Sequence, residues 1–222
     1  IRPLDLDVML ELIDEALEAA DKIKGKDVIQ LLGGTGTGKS TTIHFLAGST
    51  MELTEMDEIP HIAPVKIVNQ EVVSFITSPH MRSETRIINA ISIDLSTLDA
   101  SKEGMITLCD SPGFDDTGGP EIDIANGIGV VRALKGCHSV KPVVLVSADS
   151  IGARFEGLIR LATILAALIP DLESALPSFS YIFTKFQKKH HQGVVAKLKN
   201  KKRELKPEER ANRGFVALFN DL

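Results

Sequence analysis

Apolar residues Leu6, Leu10, Ile13, Leu17 and Ala20 recur at spacings of four, three, four and three, with acidic residues filling the face between them, which predicts an amphipathic helix. Gly25 stops it. Val28 to Leu32 is a short apolar run flanked by glycines, the length and setting of a buried strand, and after a glycine-rich turn Ser40 to Ala47 reads as helix, ended by Gly48. From Ser49 to Glu84 the pattern weakens. Val65 to Val68 and Val72 to Ile76 are predicted as short strands in a loop-rich stretch punctuated by Pro60, Pro64 and Pro79.

Periodicity returns at Arg86, where Ile87, Ile91, Ile93 and Leu95 face one way and Ser92 and Asp94 the other, a half-buried strand. Met105 to Asp110 is the next strand, and the polar stretch between them suits an antiparallel hairpin. Ile122 to Gly136 is predicted as helix, Val143 to Ser147 as strand, Phe155 to Ile169 as a strongly apolar helix and Phe179 to Thr184 as strand. This alternation implies an α/β fold with a mostly parallel sheet, one antiparallel strand and helices on both faces.

Composition narrows the class. The 222 residues are 43% hydrophobic and 25% charged, which suits one globular domain over residues 26–222 with a helical extension at residues 1–25. Because the chain begins at Ile1 and ends within a pattern at Leu222, it reads as a segment of something longer, cut before the last strand of the domain. Lys plus Arg number 25 against 30 Asp plus Glu, a net charge of −5, so no DNA partner is expected and any phosphate must be held locally. Cys109 and Cys137 lack metal-ligand spacing, and a reducing, cytoplasmic location is expected. The longest apolar stretch, Leu158 to Ile169, contains Arg160 and is too short to span a bilayer.

The sharpest chemical signal is Gly33-Gly-Thr-Gly-Thr-Gly38-Lys39-Ser40, which satisfies G-x-x-x-x-G-K-[ST] between a predicted strand and a predicted helix. Glycines let backbone N–H groups converge on phosphate oxygens at a helix N-terminus. Gly33, Thr35, Gly36, Thr37, Gly38, Lys39, Ser40 and Thr41 are therefore the expected nucleotide-binding residues, with Lys39 reaching the β- and γ-phosphates and the Ser40 hydroxyl on Mg²⁺. A second metal-holding carboxylate is expected at the end of a neighbouring apolar strand. Asp110 fills that place, and Asp110-Ser-Pro-Gly113 matches D-x-x-G, whose glycine amide can sense a γ-phosphate.

With these motifs the sequence resembles the P-loop GTPases of the translation-factor-related class; GGTGTGKSTT and DSPGFDDT look most like septins and the immunity-associated and chloroplast-import-receptor GTPases. The resemblance covers residues 27 to about 190. It implies the three-layer P-loop NTPase fold, GTP and GDP as ligands, Mg²⁺ as cofactor and slow hydrolysis in a switch or assembly GTPase. It also implies a first-switch threonine that closes over Mg²⁺ and contributes to catalysis. Thr85 is the candidate, with Ser83 and Thr77 competing, and Ser49 to Ser83 would then be an enlarged first switch. A homodimer or a partner protein would engage the switch regions.

Two positions depart from the family pattern. The base-reading motif [NT]-K-x-D appears as Thr184-Lys185-Phe186-Gln187, so Thr184 and Lys185 match but an amide replaces the acid, weakening guanine preference and opening ATP use. Phe114 follows Gly113 where Ras-like members carry a water-orienting Gln, which points to low intrinsic turnover; Asp115 and Asp116 lie nearby. The alternative is a P-loop ATPase or a nucleotide-binding scaffold with little turnover. An ABC-type ATPase is disfavoured, since L-S-G-G-Q is absent and Ser111 stands where a Glu should follow Asp110. Residues 185–206 hold nine Lys and Arg against one acid, read mainly as a solvated helix with Val194, Val195 and Leu198 inward; peripheral membrane contact through residues 188–206 is the minor alternative. His44 is read as a packing residue, and the adjacent His190 and His191 lack metal-ligand spacing.

Overall fold

The protein is described by a computed structural model covering residues 3–78, 88–97, 99–113, 119–152, 154–187 and 191–222. The first half runs α1 (Leu6–Asp21), β1 (Asp27–Leu32), α2 (Lys39–Leu46), β2 (Thr50–Met56), β3 (Ile59–Lys66), a 3-10 turn at Gln70–Ser74, β4 (Asn89–Asp94) and β5 (Met105–Asp110). The second half runs α3 (Pro120–Gly136), β6 (Ser139–Ser147), α4 (Ala148–Ile151), α5 (Glu156–Leu168), α6 (Leu172–Ala175), β7 (Ser180–Thr184), α7 (His191–Arg203), α8 (Pro207–Ala211) and α9 (Arg213–Asp221).

Among the described residues, five strands form one sheet in the order β4-β5-β1-β6-β7. All pairs are parallel except β4 with β5, where Asn89 lies opposite Asp110 and Asp94 opposite Met105. Alternation along the central strands sends successive side chains to opposite faces. Leu31, Leu108 and Leu145 join Ile43 of α2 on one side, while Leu32, Cys109 and Val144 join a larger core that includes residues of α1, α3, α5 and α9 on the other. Helices therefore cover both faces, the layering expected from the strand–helix alternation.

The helix at the N-terminus forms, but only the second half of the predicted stripe is covered, with Ala20 buried and Ile13 and Leu17 half-buried. Ala16, Ala19 and Ala20 are buried, whereas Leu6 is 60% and Leu10 56% exposed. The reason is the packing of α1 on α3: a Cβ on Gly129 would sit 3.0 Å from the Ala16 Cβ, so the two helices approach over small residues rather than over leucines. Charge reinforces the contact at its end through Arg132 and Asp21, 3.3 Å apart.

The segment after α2 also differs. The predicted strands at 65–68 and 72–76 are replaced by an antiparallel β2–β3 hairpin and the 3-10 turn. Asp57 and Glu58, with φ of 51° and 65°, make its two-residue connection, a left-handed turn that usually carries Asn-Gly and so leaves no familiar signature. Pro60 and Pro64 sit in a ribbon that, among the described residues, pairs with no third strand, a setting that tolerates the missing N–H. The strand expected from Arg86 is described from Asn89, and β6 begins four residues before its predicted start because Ser139 to Pro142 pair with Asp27 to Gln30 of β1. On α7 Leu198 turns inward as expected, but Val195 is 55% exposed. No helix among the described residues is long and apolar enough to cross a membrane.

Candidate functional site

At the C-terminal end of β1 the chain turns through Gly33–Gly38 into α2. Gly38, the residue capping α2, has φ of 92°, a backbone conformation that disfavours any side chain. The first amides of α2 have no carbonyl one turn behind them and point out of the helix end. Thr37 Oγ1 donates to the Gly34 carbonyl at 2.9 Å.

Lys39 folds back over this turn, and its Nζ donates to the carbonyls of Gly33 and Gly34, each at 3.1 Å. Its ammonium is buried, and loss of water pulls its pKa below the usual lysine value, with the negative charge of Asp110 acting the other way. A cation held like this gains from an incoming anion.

Asp110 ends β5 and is fully buried beside β1. Ser40 Oγ donates to its Oδ2 at 2.8 Å, which joins the start of α2 to the end of β5. The loop after β5 is then locked down twice. Ser111 Oγ donates to the Leu31 carbonyl at 2.7 Å, and Gly113 lies so close to the glycine-rich turn that a Cβ there would collide with Thr35 Oγ1 and meet the Thr35 backbone at 2.9 Å. Thr35 Oγ1 is itself buried without a hydrogen-bond partner.

The end of β7 reaches the same turn from the other side. Thr184 Oγ1 donates to the Thr37 carbonyl at 2.8 Å, and Lys185 follows with φ of 60° and its Nζ 3.6 Å from Asp149. Above these elements opens a cavity of about 810 Å³, a size suited to a small organic ligand. Thr35 to Thr42 form its floor, and Thr184, Lys185 and Gln187, the β2–β3 hairpin and Ile76 to Ser78 form its walls.

The structure thus brings together the expected Gly33, Thr35, Gly36, Thr37, Gly38, Lys39, Ser40, Thr41, Asp110, Gly113, Thr184 and Lys185. Thr85, Ser83, Phe114, Asp115, Asp116 and His190 lie outside the described residues. Thr77, the competing threonine, lines the cavity. His44 is a satisfied packing residue, with Nε2 2.8 Å from the Phe75 carbonyl and Nδ1 3.3 Å from Ser49 Oγ. That contact ties α2 to the segment entering the cavity wall.

Sequence reading missed the hairpin wall, including Leu53, Ile59, His61 and Ile62. Its available signal was the stretch from Thr50 to Lys66, strand-length on either side of Asp57-Glu58, which the prolines obscured. Among the described residues there is no group of three or more His, Cys, Asp or Glu side chains placed to hold a metal ion by themselves. No protein-family model matches the sequence, and no curated protein matches it.

Proposed function

We propose that the chain is a P-loop GTPase with the three-layer P-loop NTPase fold, which binds a guanine nucleoside triphosphate with Mg²⁺ and hydrolyses it slowly, as a molecular switch or assembly GTPase. The observation that carries this reading is the meeting, at one cavity, of three segments far apart in sequence: the glycine-rich turn with its buried Lys39, the Ser40–Asp110 contact, and Thr184 bonded to the Thr37 carbonyl. A plain strand-to-helix connection does not need a buried lysine over its carbonyls. Nor does it need a cavity above it.

The roles follow from the atoms. The amides of the turn and of the α2 N-terminus bind phosphate oxygens, and the Lys39 ammonium, already desolvated, neutralises charge on the β- and γ-phosphates. Ser40 Oγ and Asp110 Oδ2 are hard oxygen donors 2.8 Å apart, a set that fits Mg²⁺, which takes few protein ligands beside water and phosphate. Ser40 would hold the ion directly and Asp110 through water, and the ion when bound draws charge from the phosphates. The Gly113 amide, packed on Thr35, lies where the loop after β5 can sense the terminal phosphate. Thr184 and Lys185 frame the base. The free cysteines Cys109 and Cys137 support a cytoplasmic location, and a second copy or partner protein engaging the switch segments would supply what Phe114 cannot.

Gln187 favours a second reading, an ATP-using or mixed-nucleotide scaffold with little turnover, because it stands on the cavity wall where an acid would read guanine. Equilibrium titration with labelled GTP and ATP, with and without Mg²⁺, on the native chain and on Lys39→Ala separates the two. Tighter GTP than ATP binding that collapses in the variant supports the GTPase. Equal affinities move the conclusion to the scaffold, and binding indifferent to Lys39 removes the P-loop reading.

A further inference from the structure

We infer that His61 reads the nucleobase: from the β2–β3 hairpin its imidazole Nε2 accepts a hydrogen bond from an N–H donor of a purine. The inference rests on the nucleotide-binding reading above and adds the side chain that recognises the base.

His61 is the buried position of a strand whose other side chains are exposed or half-buried. It is only 9% exposed and lines the cavity together with Lys185 and Gln187. Its backbone is fixed by pairing with Thr54, whose Oγ1 donates to the His61 carbonyl at 3.1 Å. The ring lies within electrostatic reach of the Thr77 backbone, yet Nε2 is buried with no partner. Buried polar atoms without partners are rare, and one on a residue that lines a cavity points to a ligand atom.

The chemistry of the ring selects that atom. A neutral imidazole has one donor and one acceptor nitrogen. The Thr77 backbone favours the protonated ring, as a carbonyl acceptor does, which directs the ring's N–H toward Thr77 and offers Nε2 as the acceptor. Burial and the positive charge of Lys185 hold the imidazole pKa below its ordinary value against the opposing pull of Thr77, which keeps the ring neutral near pH 7. An acceptor repels phosphate oxygens, so its match on a nucleotide is a base N–H or a ribose hydroxyl. The apolar neighbours Leu53, Ile59 and Ile62 suit the flat face of a base. Guanine offers two adjacent donors, N1–H and the exocyclic amine. His61 supplies a neutral acceptor for one of them, on a cavity that Gln187 also lines.

The test compares native chain, His61→Phe and His61→Gln for equilibrium binding of GTP, 2′,3′-dideoxy-GTP and inorganic triphosphate, each with Mg²⁺. His61→Phe keeps the ring volume and removes the acceptor; we expect about tenfold weaker GTP and dideoxy-GTP binding. Triphosphate binding should be unchanged, which also reports that the variant is folded, and His61→Gln should recover part of the loss. Unchanged GTP affinity in His61→Phe overturns the inference. So does an equal loss for GTP and triphosphate, which places the effect on the phosphates or the fold, or a loss that vanishes with dideoxy-GTP, which places it on the ribose. If instead Lys39→Ala leaves GTP binding intact, the nucleotide reading fails and takes this inference with it.

Discussion

The floor of the cavity is the turn from β1 into α2, set in a five-stranded sheet covered on both faces, whereas another wall is built by a two-stranded ribbon that, among the described residues, pairs with no other strand. The floor has buried neighbours on every side: Leu31, Leu108, Ser111 and Asp110 are at most 2% exposed. The ribbon shows most of its residues to solvent, Leu53, Ile59, Ile62 and Val65 included. A phosphate site needs amides and one cation in fixed positions, and the core supplies fixity. Base selection needs particular side chains, and a peripheral ribbon can change those without disturbing the sheet.

The comparison breaks first at Lys39. Lys39→Ala removes the buried cation of the floor, and we expect nucleoside triphosphate and inorganic triphosphate to lose affinity together, by roughly 100-fold, as when one member of a buried charged contact is truncated. Isothermal titration with both ligands checks it. A loss confined to the nucleotide would mean that Lys39 serves the base end, and the division of labour would be wrong.

Next in size is Gly113→Ala. The added Cβ meets Thr35 backbone atoms at 2.9 Å, which cannot swing away as a side-chain tip can. Overpacking of this kind costs about 1–3 kcal/mol, a lowering of the melting temperature by several degrees in a chain of this size. Thermal unfolding with and without nucleotide reads it, and triphosphate affinity should fall in parallel because the turn itself is displaced. Stability equal to that of the native chain would show that the loop after β5 does not bear on the turn.

At the base end, Gln187→Asp should sharpen what the amide leaves weak. A charged acceptor strengthens a hydrogen bond by about 1 kcal/mol over a neutral one, so the ratio of GTP to ATP affinity should rise about fivefold while triphosphate binding stays constant. Gln187 is exposed, and solvent screening keeps the expected gain at that modest level. Competition titration with the three ligands measures it. A falling ratio would remove Gln187 from base recognition and leave that role to His61.

The same division explains what could be read in the chain before its structure. β5 and its terminal Asp110 were legible because a strand buried on both faces is a continuous apolar run, and the turn into α2 because its glycines are dictated by backbone geometry. The ribbon was not, since Asp57-Glu58 is an unfamiliar turn and Pro60 and Pro64 argue against strand wherever a second neighbour is assumed. The extent of the covered face on α1 was misread for a related reason. Leu6 and Leu10 obey helical spacing, but Ala16 and Gly129 decide where along α1 helix α3 approaches, and spacing alone carries no information about the partner helix. His61 was invisible in sequence because a histidine gains meaning only when its burial and its missing partner are known.

An effect no larger than this should come from a hydrogen bond that joins the two ends. Thr184→Val keeps the branched shape at the end of β7 and deletes the hydroxyl that donates to the Thr37 carbonyl. Loss of one such bond is worth about 1 kcal/mol, or about fivefold in affinity if it is felt by the ligand. Where it is felt is the informative part. If the turn is held by its own backbone and by the lysine, inorganic triphosphate binds the variant as well as the native chain, and only ligands carrying a base lose affinity, because Thr184 then positions Lys185 and Gln187 rather than the amides. Titration of the variant with GTP and with triphosphate decides it. An equal loss for both would mean that the turn leans on β7 for its shape, and the floor and the wall would be a single mechanical unit.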